Sequence, residues 1–160
     1  MKKIILIACL AIAGTINAQV SKDLSRFNRL KIDSNAQIEV HLSQTSKIQF
    51  SGSEDQLDQY IISNEPGTLE LRTSNDKDSR YRIYTNDLKA LQIEGNAIVT
   101  FKGFDTLDRL SIKTSKDALV DLGSIVVTNL VVDKDKDSTV RVAAASGATY
   151  RVDGKDSESI

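Results

Sequence analysis

The chain has 160 residues, 40% hydrophobic and 27% charged, which fits one globular domain with a substantial core rather than a disordered segment. Its 21 Lys and Arg against 22 Asp and Glu give a formal charge of −1, so no basic excess points to nucleic acid or an anionic membrane surface. One histidine and one cysteine rule out a His-rich or thiolate metal centre.

The first residues, MKKIILIACLAIAGTINAQ, combine a basic start at Lys2 and Lys3 with an apolar run from Ile4 to Ala13. Ile16-Asn17-Ala18 then offers a cleavage site before Gln19. This predicts a secretory signal peptide over residues 1–18, too short for a comfortable membrane span, followed by a single domain over 19–160. Cys9 sits in LIAC, which resembles a lipoprotein box, but the apolar run continues past it, so cleavage after Ala18 is expected and removes the cysteine. Loss of Lys2 and Lys3 takes the 21 basic residues to 19 and the net charge to −3. An exported, mildly acidic chain with no transmembrane span is the expectation.

After Gln19, period-two alternation marks strands with one buried face: Leu30 and Ile32; Ile38, Val40 and Leu42; Ile48 and Phe50; Leu69 and Leu71; Tyr81 and Ile83. Turn signals separate them at Ser51-Gly52-Ser53, Pro66-Gly67 and Ser74 to Arg80. Pro66-Gly67 predicts a hairpin between YIISN and TLELRT, because Pro presets its own φ and Gly accepts a positive one. SEDQLDQYI predicts a short helical turn, with Ser53 and Gln56 at capping-box spacing and Leu57, Tyr60 and Ile61 on one face, or equally the approach to the next strand.

From residue 88 four similar units follow, anchored at Ile93, Ile112, Val132 and Val152 and, beyond the turn, at Val120, Val140 and Ile160. The anchors recur at 19 or 20 residues. Such a fixed period predicts right-handed β-solenoid or β-helix-like coils, each burying its apolar row on the next at about 4.8 Å. A second match, Ile32 to Ile38 against Ile93 to Val99, suggests that the same coil begins early and restarts after an intervening hairpin region. An ordinary β-sandwich is the competing architecture.

VVDKDKDSTVRV places Asp133, Asp135 and Asp137 at the first three ligand positions of a calcium loop. Ser138 stands where the loop needs Gly, and Ala144 where it needs Glu, so the stretch reads as a charged turn, with weak Ca²⁺ binding as the alternative. Coil stacking would set Lys136 beside Asp156 and Lys116, and Asp135 beside Lys155 and Ser115, in screened surface pairs worth about 0–1 kcal/mol each.

No hydrolytic constellation accompanies these elements. His41 alternates with Val40 and Leu42 and reads as a solvent-facing strand residue. Acidic pairs suited to glycoside hydrolysis are expected by chance in so acidic a chain. In SRYRIYT, inward Tyr81 and Ile83 leave Arg80, Arg82 and Tyr84 on one exposed face. That face could meet an anionic or sugar ligand, or could simply be a solubilised strand with Arg stems over apolar surface. No catalytic, metal or cofactor residue is assigned, and the ligand is open.

FNRLKIDSNAQIEVHLSQ, IQFSGSEDQLDQYIIS, GTLELRT and RIYTNDLKALQIEGNAIV resemble the putative auto-transporter adhesin, head GIN domain, family over about Val20 to Ile160. The resemblance rests on strand pattern and on L-x-I-x-G-N-A. It implies an all-β solenoid-like fold, an envelope or surface location and a non-enzymatic adhesive role, and supplies no active-site residues. The expected partner is a surface glycan or an envelope protein. The alternatives are a polysaccharide-active enzyme on a β-helix and an envelope protein–protein interaction module. The chain stops in a strand position without an evident cap, so the expectation is either an open C-terminal edge that pairs with a second copy or a C-terminally shortened member of the family.

Overall fold

The computed structural model describes residues 19–52, 54–73, 79–153 and 155–157. The predicted signal peptide, Ser53 of the capping box, most of the polar stretch from Ser74, and Ile160 lie outside them.

The alternating segments all form strands. The first four are β1 (Gln19–Asp23), β2 (Phe27–Asp33), β3 (Gln37–Leu42) and β4 (Lys47–Ser51). A seven-residue helix α1 (Glu54–Tyr60) covers Leu57, which is fully buried, and leads into β5 (Ile61–Glu65). The hairpin at Pro66-Gly67 forms as expected: β5 runs antiparallel to β6 (Gly67–Arg72), and Gly67 adopts φ 91°, a conformation in which a Cβ is strained. Then follow β7 (Arg80–Thr85), β8 (Ala90–Ile93), β9 (Ile98–Lys102), β10 (Thr106–Thr114) and β11 (Leu119–Asp121). The last four are β12 (Val126–Lys134), β13 (Thr139–Arg141), β14 (Ala144–Val152) and β15 (Lys155–Ser157).

These strands make two sheets rather than a stack of like coils. One has seven strands in the order β1-β4-β7-β3-β9-β11-β13, the other eight in the order β15-β14-β12-β10-β8-β2-β6-β5. Alternate residues of both sheets meet in a single apolar cluster that includes Leu30, Ile38, Ile83, Leu91, Leu110 and Val132, so the core lies between the sheets. Each such side chain, fully buried, contributes roughly 1.5–3 kcal/mol of transfer free energy. Of the ten alternating residues named from β2, β3, β4, β6 and β7 besides Leu42, all are buried, whereas Leu42, at the end of β3, is 47% exposed.

This arrangement overturns the expected right-handed β-solenoid. The sheets are mixed: β1–β4, β4–β7, β5–β6 and β14–β15 are antiparallel, among otherwise parallel neighbours. Two anchors are also displaced. Ile112 pairs with Val132 as expected, but Ile93 faces Thr114 and Val152 faces Lys134. The physical reason is that a two-residue slip leaves every apolar side chain on the core face, so the burial pattern alone does not fix register.

The second sequence match is realised as contact. Ile32 pairs with Ile93 and Ile38 with Val99, so the two copies of L-x-I-x-x-N-A lie side by side. Their turns touch. Asn96 N donates to Asn35 Oδ1 at 3.1 Å, and a Cβ on Gly95 would fall 2.1 Å from the Ser34 carbonyl oxygen. Ser34 closes the other side: its buried hydroxyl pairs with Thr73 and accepts from Ala36 N at 2.9 Å.

Candidate functional site

The outer face of the seven-stranded sheet follows from the same alternation. Tyr81 and Ile83 point into the core, which turns Arg80, Arg82 and Tyr84 of β7 outward together. On β3, Gln37, Glu39 and His41 do the same, and register sets Gln37 opposite Arg80, Glu39 opposite Arg82 and His41 opposite Tyr84. On the far side of β7, the antiparallel β4 brings Gln49 opposite Arg82 and Lys47 opposite Tyr84. Strand β1 adds Gln19 beside Ser51. Gln19, Gln37, Glu39, Gln49, Ser51, Arg80 and Arg82 thereby line a cleft of about 320 Å³.

Charge in the cleft is organised around Glu39. Arg82 Nε donates to Glu39 Oε2 at 3.0 Å, and His41 Nε2 lies 3.2 Å from the same oxygen. The hydrogen bond from His41 and, behind it, the Arg82 guanidinium hold the Glu39 carboxyl below the usual carboxylate range, against an opposing push from partial burial. Tyr84 Oη donates to Gln49 Oε1 at 2.8 Å, and Gln19 Nε2 donates to the same oxygen at 3.4 Å.

Tyr84 offers no open platform. Its ring stacks on His41 at 5.0 Å between centroids, while Lys47 Nζ lies 4.6 Å from the ring centroid. β3 and β4 flank β7 on opposite sides, so these two neighbours reach the ring from different strands. Tyr84 is itself half-buried, so a sugar stacked on it would compete with His41 or Lys47.

The structure brings together Arg80, Arg82 and Tyr84, and it gives His41 a partner that its sequence context did not indicate. Sequence reasoning missed Gln19, Gln37, Glu39, Gln49 and Ser51. Alternation places Gln37 and Glu39 on one face with His41, but nothing in the sequence states that β3 and β4 flank β7.

Asp133 lies in β12, with its carboxylate 3.9 Å from Lys113 Nζ, and Asp135 and Asp137 belong to the turn beyond it. Asp137 N donates to Asp135 Oδ1 at 3.3 Å, Ser138 N to the Asp135 carbonyl at 3.1 Å, and Lys134 Nζ to the Ser138 carbonyl at 3.0 Å. Among the described residues, no group of three or more His, Cys, Asp or Glu is placed to hold a metal ion. On the β10 side the turn is stacked on the preceding one, with Asp135 N bonded to the Thr114 carbonyl and Ser138 Oγ to that of Lys116 at 2.5 Å. On the other side the expected stacking is not met. Lys136 N donates to Asp153 Oδ1 at 3.1 Å, while Lys155 and Asp156 fold back against Val152 and Arg151. The reversal follows Asp153, whose φ of 50° turns the strand into a hairpin in place of a further parallel unit.

Two facing sheets, one carrying a polar cleft on its outer surface, define an all-β domain whose exposed chemistry lies on strands. The chain belongs to the putative auto-transporter adhesin, head GIN domain, family, whose profile matches residues 26–157. Among solved structures it is similar to a putative adhesin from Bacteroides fragilis, with 22% identity and a TM-score of 0.67 over 82% of this chain and 64% of that one. A putative adhesin from Parabacteroides merdae shares 18% identity and a TM-score of 0.61, covering 77% of this chain and 54% of that one. A putative lipid binding protein from Parabacteroides distasonis shares 17% identity and a TM-score of 0.55, over 88% and 69%. At these identities the likeness is one of fold, and the chain spans only 54% and 64% of the two adhesin structures. No curated protein matches in sequence.

Proposed function

We propose that this protein is an exported, non-enzymatic adhesion domain that meets a surface glycan or envelope protein through the outer face of its seven-stranded sheet. The observation that carries this reading is the cleft across β1, β4, β7 and β3, a concave polar site on a sheet face in a member of an adhesin family. The names of its structural neighbours support a surface or extracellular location. Among the described residues Glu39 is the one carboxylate lining the cleft, and it is held ionised by donors, which suits ligand contact better than proton transfer between two carboxylic groups. Labelled protein should adhere to intact cells or purified envelopes, and charge reversal by Arg80→Glu with Arg82→Glu should abolish retention while the fold persists. Retention unchanged by that pair of substitutions sinks the assignment of this face.

A second copy is proposed as a further partner. At the β13–β14 end, Val140, Val142, Ala148 and Tyr150 are only partly covered, whereas Val120, Leu122, Leu130 and Val132 one strand earlier are buried. Among the described residues, β13 is paired on one side only and ends its sheet, which leaves a backbone edge for a like strand. Sedimentation equilibrium should show reversible association that weakens when Val140→Lys is introduced. A monomer at every concentration tested excludes it.

A further inference from the structure

We infer that the cleft is a carboxylate site for acidic saccharides, an inference that rests on the sheet-face reading above and names its ligand class. The first ground is an excess of unused donors. The Arg80 guanidinium and the Gln37 carboxamide are cross-strand neighbours, and neither side chain has a hydrogen-bond or ion-pair partner among the described residues. Gln49 accepts two hydrogen bonds at its Oε1, so its Nε2 remains as a donor toward the cleft. Arg82 engages Glu39 through Nε, which leaves its two terminal nitrogens. Set against these donors, among the described residues, is the Glu39 carboxylate, already bonded twice.

The second ground is local charge. Arg80 and Arg82 outnumber Glu39 in the cleft, and Lys47 and Lys102 stand on the same face at the neighbouring row, whereas the whole chain is slightly acidic. A ligand in the cleft feels the near charges, because those beyond about 8–10 Å are screened at physiological salt. A guanidinium presents a planar fork that matches a carboxylate in two parallel bonds, and the adjacent amides can donate to and accept from vicinal hydroxyls.

Two competing ligands fit less well. A neutral sugar is best held on an open aromatic face, and the half-buried Tyr84 ring already has His41 stacked on it and Lys47 close to it. An acidic peptide in extended form binds by adding a strand to a free edge, but the strands that carry Gln49, Arg80, Arg82 and Glu39 lie in the sheet interior with partners on both sides, and only Gln19 stands on the edge strand β1.

The test is calorimetric titration of the purified protein with trigalacturonate, its methyl ester, maltotriose, dextran sulfate of matched length, and tri-aspartate. Saturable binding of trigalacturonate alone is expected, weakening as salt is raised. Arg80→Gln should weaken it about tenfold or more without changing the melting temperature. Arg109→Gln, on the outer face of the other sheet, should leave it unchanged. Equal binding of the methyl ester, of dextran sulfate or of tri-aspartate overturns the inference, as does an Arg80→Gln protein that binds like the parent. Maltotriose binding that is lost on Arg80→Gln, with no binding of the acid, also overturns it but leaves the adhesive role of this face intact. Cell retention indifferent to Arg80 and Arg82 removes the adhesive role itself.

Discussion

Gly95→Ala is the substitution for which the structure sets the sharpest expectation. A Cβ at this position would lie 2.1 Å from the Ser34 carbonyl oxygen, 2.8 Å from its carbon and 2.9 Å from its nitrogen. All three are main-chain atoms of a turn held between β2 and β3, so no rotamer change relieves the contact. Relief requires the two turns to part by more than about 1 Å, which breaks the Asn96 N to Asn35 Oδ1 bond and disturbs the Ile32–Ile93 and Ile38–Val99 pairings beside it. Overpacking of this kind costs about 1–3 kcal/mol, and the rigidity of the obstructing atoms places Gly95→Ala at or above the upper end. At this chain length 1 kcal/mol corresponds to about 3–4 °C, so a fall near 10 °C in the thermal midpoint is expected by calorimetry or circular dichroism. Two controls separate the clash from a generic loss of glycine. Gly123→Ala meets open space and only the strain of φ 59°, so it should cost about 1 kcal/mol. Ser34→Gly introduced with Gly95→Ala should restore nothing, because the obstructing atoms are not side chain. A Gly95→Ala protein that melts with the parent refutes the close approach of the two turns.

Leu110, fully buried between the sheets, should cost about 2–5 kcal/mol on truncation to Ala, read as a lower urea midpoint with an unchanged slope. The carboxyl of Glu39 titrates lower in the folded chain than its ordinary 4.5, so its stabilising effect is present above that value and is lost as pH falls through the folded pKa. The stability difference between the parent and Glu39→Gln should therefore narrow on acidification below about pH 4.5, and a gap that stays constant through that range contradicts the role of His41 and Arg82 as its donors. Thermal midpoints in millimolar Ca²⁺ and in chelator should coincide, since Asp133 lies in β12 beside Lys113 and Asp135 is engaged by its own turn; a rise with Ca²⁺ would restore the metal reading.

Alternation made the inward and outward residues legible, because in a half-buried strand each apolar side chain declares its own face. The Pro66-Gly67 hairpin and the short helix around Leu57 were equally local and equally readable. The match of Ile32 and Ile38 with Ile93 and Val99 carried long-range information, and the structure shows why: the two similar turns stack in register, with Gly95 against Ser34 and Asn96 against Asn35. Strand direction was not legible. β4 alternates no differently for running antiparallel to β7, and β14 gives no sign before Asp153 that the chain will double back. The cleft was half legible for the same reason. Arg80, Arg82 and Tyr84 come from one strand, but Gln19, Gln37, Glu39 and Gln49 come from three others whose neighbourhood is a property of the sheet.

The middle of each sheet joins segments made far apart in time. β2 and β3 have β8 and β9 as lateral neighbours, some sixty residues later in the chain, and β7 separates β3 from β4. The earliest strands thus wait, with their ladders open, until residues near Lys102 are available to complete them. Pairing over such separations places the protein among slow folders, on the scale of milliseconds to seconds, and makes the half-built chain the species most exposed to aggregation.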